Sequence, residues 1–180
     1  MTKIVYYVAS SIDGFIAGIN EDVSGFIYDG QGVEKYLEDL KSYQTVIMGR
    51  STYEFGYKFG AQAGQPSPAY PHMKHYIFSN RLELQNQSQQ VEVKKMDIEQ
   101  IRLIKKESPT DIYLCGGGKF AGWLLENKQI DALKIKLNPI IMGNGIKLFE
   151  NLTTTYQLQL TQCQTYENGL QIISYTIIYP

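Results

Sequence analysis

Ile112-Tyr113-Leu114-Cys115-Gly116-Gly117-Gly118-Lys119-Phe120-Ala121-Gly122 is the stretch of sequence on which the predicted fold depends. A short apolar run ends at three consecutive glycines, and a helical pattern over residues 120–126 follows at once. This order predicts a strand, a tight turn and a helix. Glycine has no Cβ, so the backbone can approach a ligand closely, and the first turn of a helix presents unpaired N–H groups. The stretch therefore predicts a turn that binds the phosphate of a dinucleotide.

Three other strand-like runs also end in polar turns. In open α/β sheets, ligands bind outside the carboxyl ends of the strands, so neighbouring parallel strands would bring such turns to one edge. Together with the glycine turn they make four turns that would meet at this edge and form a ligand site. The prediction rests on all four, because each turn alone is a weak signal. The three further turns are Ala9-Ser10-Ser11, Gly49-Arg50-Ser51-Thr52 and Ser79-Asn80-Arg81.

The order of the elements predicts an α/β fold. Helical patterns over Val33–Leu40 and Ile98–Glu107 alternate with the strands, which is typical of parallel crossovers. Two alternating runs near the end, joined by Glu167-Asn168-Gly169, predict an antiparallel hairpin. We therefore expect residues 1–180 to form a single domain. Its core is a mixed, mostly parallel sheet with helices on both faces and a C-terminal hairpin.

Composition excludes several functional classes. The chain carries 17 basic and 18 acidic side chains, which argues against a nucleic-acid or membrane surface built on net charge. No apolar segment approaches the roughly 20 residues that span a bilayer. The segment Met1–Val5 lacks the features of a signal peptide, so we expect a cytoplasmic protein. Cys115 and Cys163 lie in apolar runs and are expected to be buried, reduced thiols.

Each candidate site residue also has a structural interpretation. The glycine triad alone is more often a tight turn with close helix packing than a cofactor loop. Arg50 and Arg81 could be solvated surface charges, but each directly follows a buried strand, where a guanidinium can grip a phosphate. Two such arginines favour the 2′-phosphate of NADPH over NADH. His72 and His75 have no acidic or cysteine cluster nearby, so we expect no metal site.

Taken together, the segments resemble dihydrofolate reductases over nearly the whole chain. The strand and phosphate turn of that family are similar to residues 46–54, its adenosine 2′-phosphate segment to residues 78–81, and its glycine loop to residues 115–118. The loop that closes over nicotinamide and substrate is similar to residues 11–17. Within the superfamily, the Ser-x-Asp-Gly opening and the bend at residues 138–145 are more similar to the C-terminal reductase domain of the bifunctional riboflavin-synthesis enzyme.

The resemblance implies an eight-stranded, mostly parallel sheet with NADPH across the strand ends, and a homodimer. It assigns the pyrophosphate and 2′-phosphate side to Gly49, Arg50, Ser51 and Thr52, and the adenosine to Ser79, Asn80 and Arg81. The other face of the pyrophosphate falls to Gly116, Gly117, Gly118, Lys119 and Phe120, and the nicotinamide to Val8, Ala9 and Ile16. The implied substrate is a small heterocycle, either a pteridine or a ribosylamino-pyrimidine.

The proton-handling residue is the point at which the sequence departs from dihydrofolate reductases. Their carboxylate in the helix before the second strand aligns with Val33, and Glu34 and Asp29 are the nearest acids. We take Asp13 as the organiser of the substrate loop and Asp29 and Glu34 as candidates for proton transfer. The alternatives are a non-catalytic NADPH-binding or sensor protein on the same fold, and an interaction module without a ligand.

Overall fold

The computed structural model describes residues 2–180 and contains an eight-stranded sheet with helices on both faces. The strands of this sheet are β1 (Ile4–Ser10), β3 (Thr45–Gly49), β4 (Lys74–Phe78), β5 (Val91–Lys94), β6 (Ile112–Gly116), β7 (Ala132–Leu137), β9 (Gln157–Thr165) and β10 (Gln171–Ile178). The helices are α1 (Gln31–Leu40), α2 (Arg50–Phe55), α3 (Ile98–Glu107) and α4 (Gly118–Glu126).

The strand order confirms the predicted mixed topology. The order across the sheet is β5-β4-β3-β6-β1-β7-β10-β9. The first six strands pair in parallel, whereas β10 runs antiparallel to β7 and to β9. A three-residue loop, 167–169, closes the C-terminal hairpin, because Tyr166 N–H donates to Leu170 O at 2.9 Å. The carboxyl ends of β3, β4, β6 and β1 consequently lie along one edge.

Alternating side chains divide the core into two layers. On β1, Ile4 and Tyr6 pack with α3 and α4, whereas Val5 and Tyr7 pack on the opposite face with α1 and α2. The same alternation holds on β6. Successive strand residues point to opposite faces, so a central strand covered on both sides must be apolar throughout. This explains the uninterrupted apolar runs in the sequence.

The structure corrects two local predictions. The spacing Ser51-x-x-Glu54 predicts a capping box with a helix starting at Ser51, but α2 begins at Arg50, and its N-cap residue, Gly49, offers no side chain. Glu54 instead accepts a hydrogen bond from Arg50 Nε at 2.8 Å. Cys163 is exposed and not buried, because β9 forms the edge of the sheet and both of its faces are open to solvent.

A small two-stranded sheet, absent from the predictions, folds the loop after β1 back over the sheet edge. Its strands β2 (Phe15–Ala17) and β8 (Ile146–Lys147) are short and pair in antiparallel fashion. The bend before β8 passes close to β2, since a Cβ added at Gly145 would lie 2.1 Å from Ala17 O. The pairing therefore positions one wall of the site described below.

Candidate active site

A cleft of about 510 Å³ lies at the carboxyl ends of the central strands, between the first turns of α2 and α4. We call it the strand-end cleft. It brings together eleven of the fifteen residues predicted to hold the cofactor. They are Val8, Ile16, Gly49, Arg50, Ser51, Thr52, Gly116, Gly117, Gly118, Lys119 and Phe120.

The glycine turn after β6 forms one side of the cleft. Gly117 is the N-cap of α4 and has φ 96° and ψ 105°, a conformation that residues with a Cβ rarely adopt. A Cβ added there would lie 2.9 Å from Thr52 Oγ1. The first bond that closes the helix joins Ala121 N–H to Gly117 O. The N–H groups of Gly118, Lys119 and Phe120 therefore remain available at the cleft.

The first turn of α2 forms the facing side and carries one cation and two hydroxyl groups. The Arg50 side chain is about half exposed, and its Nε donates to Glu54 Oε1 at 2.8 Å. Ser51 and Thr52 follow it in the same turn and also line the cleft. Because the Arg50 pair lies within one helix and is solvent-exposed, it is weak, and the guanidinium can turn toward an anion.

Apolar and acidic residues that were not assigned to the cofactor from the sequence complete the cleft. Phe78 stacks on Phe120 with ring centroids 5.0 Å apart. Glu21 also lines the cleft and accepts an ion pair from Lys58 at 2.6 Å. Ala17, Phe78 and Cys115 lie within segments that the sequence singled out, whereas Glu21, Phe55, Met96, Ile146 and Glu150 do not. The full set of additional lining residues is Ala17, Glu21, Phe55, Phe78, Met96, Cys115, Ile146 and Glu150.

Four predicted cofactor residues lie outside the lining of the cleft: Ala9, Ser79, Asn80 and Arg81. The side chains of two of them stabilise their own turn. Ser79 Oγ accepts from the N–H groups of Arg81 and Leu82, and Asn80 Oδ1 accepts from Met96 N–H at 3.0 Å. Arg81 is exposed at the same edge of the sheet, beyond the end of β4.

Asp13 joins two loops at the edge of the site. Its carboxylate accepts from Ser11 Oγ at 2.6 Å, from Met142 N–H at 3.0 Å and from Gly143 N–H at 2.7 Å. These hydrogen bonds, led by that from Ser11, lower the pKa of Asp13 to about 2. The residue does not line the strand-end cleft. Its contacts fit a residue that organises the loop.

We expect Asp13→Asn to weaken the pH dependence of stability in acid. The pKa of Asp13 is about 2 in the folded protein against an ordinary 3.8, so the folded state favours the ionised carboxylate. The stability this gives is fully present above the ordinary value and is lost as the pH falls through the folded value. Urea midpoints measured over this range should fall less steeply in the variant. Asp29→Asn is the control. If the urea midpoint fell equally steeply with pH in the two variants, the proposed role of Asp13 in organising the loop would be contradicted.

The other two candidate acids do not reach the cleft. Asp29 lies in the loop before α1, Glu34 lies in the first turns of α1, and both are exposed. The carboxylate that α1 does direct toward the sheet is Asp39, which accepts from Tyr7 Oη at 3.1 Å and pairs with Lys134 at 2.5 Å. The structure therefore does not bring Asp29 or Glu34 together with the predicted cofactor residues.

Cys115, beside the glycine turn, and His75, at the amino end of β4, make contacts within the fold. Cys115 Sγ lies 3.1 Å from Tyr70 Oη, and burial raises the pKa of the thiol, which keeps it protonated. His75 Nδ1 bonds Met73 O, and its Nε2 accepts from Ser67 N–H, so the ring is fixed as a neutral tautomer. Burial lowers the pKa of His75 to about 4. Within residues 2–180 there is no cluster of three or more His, Cys, Asp or Glu side chains suited to a metal.

Solved structures place this architecture in a known class. A putative riboflavin biosynthesis protein from Shewanella sp. PV-4 superposes with a TM-score of 0.80 at 20% identity and covers 99% of this chain and 100% of its own. Dihydrofolate reductase from Enterococcus faecalis, complexed with NADP(H), superposes with a TM-score of 0.66 at 14% identity and covers 97% and 96%. The chain therefore has the dihydrofolate reductase-like fold.

The family within that class follows from the sequence match. The model of the RibD C-terminal domain matches residues 2–172, so the chain belongs to the RibD C-terminal domain family. YwjB of Bacillus subtilis (strain 168), an uncharacterised protein, is 25% identical over 173 residues, which are 94% of this chain and 95% of that protein. In the part of the chain that the structure describes, none of the helices is long and apolar enough to cross a membrane.

Proposed function

We propose that the protein is an NADPH-dependent reductase that transfers a hydride to a small heterocyclic substrate. The observation that carries the proposal is the convergence of two helix-initiating turns, one glycine-rich and one bearing Arg50, on a single cleft at the strand ends. Membership of the RibD C-terminal domain family supports the reaction class. The NADP(H) bound by the dihydrofolate reductase of E. faecalis supports the choice of coenzyme.

The lining of the cleft fits such a coenzyme. Three backbone N–H groups at the start of α4 and the cation of Arg50 suit phosphates, which are anionic. The bare backbone at Gly117 leaves the space that a Cβ would fill. Val8, Ile16 and Phe78 provide apolar surface for flat rings. When bound, NADPH would supply the hydride from its nicotinamide ring.

The work of the protein in this proposal is binding, orientation and exclusion of water. The turns at α2 and α4 hold the phosphates, and Val8 and Ile16 hold the reacting ring against the sheet edge. The loop containing Ile16 is held in place by its β2–β8 pairing and by Asp13. We retain Asp29 and Glu34 as candidates for proton transfer, which requires the loop that carries Asp29 and the start of α1 to move toward the substrate.

We propose a pteridine or a ribosylamino-pyrimidine as the substrate. The first class contains the dihydrofolate named for the E. faecalis neighbour, and the second contains the 5-amino-6-(5-phosphoribosylamino)uracil named for a Thermotoga maritima reductase of similar fold. Oxidation of NADPH, followed at its absorbance maximum against both classes of ring, tests the two. If NADPH were oxidised with neither class of ring, the substrate assignment would be rejected.

Arg50→Met is expected to weaken NADPH binding by about tenfold or more, because a charge-assisted contact to a phosphate is lost. Arg50 is half exposed, so its loss should leave the fold intact. The measurement is a fluorescence titration with NADPH, repeated with NADH. A larger effect on NADPH than on NADH would place Arg50 at the 2′-phosphate, and equal effects would place it at the pyrophosphate.

Arg102→Met is the matched control for this experiment. Arg102 also pairs with a glutamate of its own helix, Glu99, at 2.5 Å, but it lies on α3, away from the cleft. Its replacement should leave both titrations unchanged. Equal weakening in the two variants, or no NADPH binding by the unchanged protein, would contradict the proposed cofactor site.

A non-catalytic NADPH sensor on the same fold is the second candidate. The observation that favours it is the absence of Asp13, Asp29 and Glu34 from the lining of the cleft. The sensor hypothesis predicts NADPH binding without oxidation by any ring tested. A single substrate that oxidises NADPH at a rate proportional to enzyme concentration would reject it.

We also propose that the protein forms a homodimer, and the edge strand β9 supports this. Its nine residues include no charged side chain, although charges are a common protection of exposed edges. Leu158 and Leu160 project from it into solvent. We expect a sedimentation mass near twice 20.5 kDa and a shift toward the monomer in Leu160→Lys. A monomer at every concentration would reject the proposal.

A further inference from the structure

Lys136 is a buried cation that has no anionic partner among residues 2–180. Its side chain lies in β7, and only 9% of the residue is exposed. Among residues 2–180 no carboxylate or carbonyl oxygen accepts a hydrogen bond from its ammonium group, whereas Lys134, two positions earlier, pairs with Asp39. Burial lowers the pKa of Lys136, as expected for an ammonium group that has lost water and gained no anion.

The position of Lys136 is next to the proposed nicotinamide site. In the register of the sheet, Lys136 is opposite Ala9 near the carboxyl end of β1. Its Nζ lies 5.2 Å from the centroid of the Tyr36 ring on α1. The hydroxyl of Tyr36 is held by Tyr113 Oη at 2.7 Å, which fixes the ring. The lysine therefore extends between α1 and the strand-end edge of the sheet.

The ammonium group is not sealed in the core. Of the buried side-chain polar atoms in residues 2–180, only the Tyr166 hydroxyl lacks both a partner and solvent contact. The Lys136 nitrogen also has no partner, so it must retain contact with solvent.

An unpaired buried charge is unfavourable, and the fold does not require one here. Contact with the face of the Tyr36 ring offsets part of the desolvation, but an aromatic ring is a weaker partner than an anion. Lys134 on the same strand face shows that a carboxylate can be placed within reach of this layer. The missing partner of Lys136 is therefore expected in the ligand.

We propose that Lys136 is a specificity-determining residue, whose ammonium group binds an acceptor oxygen of the substrate, either a ring carbonyl or an acidic substituent. Lys136 would then favour rings that direct a carbonyl or carboxylate oxygen at it over rings that present an amidine. This inference rests on the proposed function, because it places the heterocycle beside the nicotinamide site.

The test compares matched pyrimidines by calorimetry. Orotate presents a carboxylate and ring carbonyls, uracil presents the carbonyls alone, and 2,4-diaminopyrimidine presents donor groups. Affinities are measured for the unchanged protein and for Lys136→Met, with and without saturating NADPH. We expect the unchanged protein to prefer orotate over diaminopyrimidine, and Lys136→Met to reduce that preference by about tenfold or more. If the unchanged protein also preferred uracil over diaminopyrimidine, and Lys136→Met lost that preference too, the contact would be a ring carbonyl.

Two further variants separate recognition from a structural role. Lys134→Met removes a lysine from the same strand face, but one already paired with Asp39, so it should keep the preference. Lys136→Arg restores the cation and should restore the preference. Lys136→Met should not lower the melting temperature, because it removes a desolvated charge.

The test of the proposal is the preference for orotate over 2,4-diaminopyrimidine, compared between the unchanged protein and Lys136→Met. No binding of any of the three rings, equal affinities in the unchanged protein, or the same preference in Lys136→Met would overturn the proposal. NADPH binding is measured independently in the same experiments. If NADPH fails to bind, the proposed function fails, while the measurements without NADPH still test Lys136.

Discussion

Gly117→Ala is expected to weaken NADPH binding by about 100-fold. The added Cβ would lie 2.9 Å from Thr52 Oγ1, and the backbone at φ 96° and ψ 105° is strained for any residue with a Cβ. The turn must therefore move, and it carries with it the N–H groups at the start of α4. A hydrogen bond to a charged group contributes about 1.5–3 kcal/mol, so the loss of one or two such bonds to a phosphate gives an effect of this size. A fluorescence titration with NADPH measures it.

Gly60→Ala is the control for the backbone strain. Gly60 has a similar φ of 87°, but a Cβ there would meet no atom within 4 Å, and the residue does not line the cleft. We expect Gly60→Ala to lower stability by about 1 kcal/mol and to leave NADPH affinity unchanged. If Gly117→Ala bound NADPH as tightly as Gly60→Ala does, the glycine turn would not be the phosphate site.

Gly122→Ala is expected to cause a large loss of stability. A Cβ at this position would lie 2.0 Å from the backbone oxygen of Glu150, so α4 and the segment after β8 must separate. Overpacking of this kind costs about 3 kcal/mol. The better helix propensity of alanine offsets up to about 1 kcal/mol. We expect the melting temperature to fall by roughly 4–8 °C, since 1 kcal/mol corresponds to about 2–4 °C at this size.

Gly32→Ala is the matched comparison within a helix. A Cβ there would meet the side-chain atoms Leu170 Cδ2 at 2.4 Å and Tyr166 Cδ2 at 2.9 Å. The ends of side chains can rotate away, whereas a backbone carbonyl held in place cannot. We therefore expect a loss below about 1.5 kcal/mol. Urea denaturation measures the free energy of unfolding of both variants. Equal losses in Gly122→Ala and Gly32→Ala would show that the backbone at Glu150 can move aside as readily as a side chain.

The strands and their turns could be predicted because their signals are local. The apolar runs before residues 49 and 116 are strands, and the polar turns after them lie at one edge of the sheet. The end of β1 and the loop containing Ile16 reach the same edge. Parallel strands with short turns leave few alternative arrangements, so convergence followed from the order of the elements.

Contacts between distant segments could not be predicted in this way. Asp13 bonds the N–H of Met142, 129 positions away, and nothing near either residue indicates the other. The two-stranded sheet of β2 and β8 is too short to show a period. Cys163 shows the same limit, because a strand at the edge and a strand in the centre have similar local sequences until their neighbours are known.

The sequence by itself determined the alternation of strands and helices, the glycine turn at residues 116–118 and the family resemblance, since each depends on residues within one short window. Only the tertiary structure decided which side chains share the cleft. It placed Arg50 in the lining and Arg81 outside it, added Glu21 and Glu150, and left Lys136 buried without an anion. The physical reason is that burial and pairing depend on the whole set of neighbours around a side chain, which packing assembles from segments far apart in the chain.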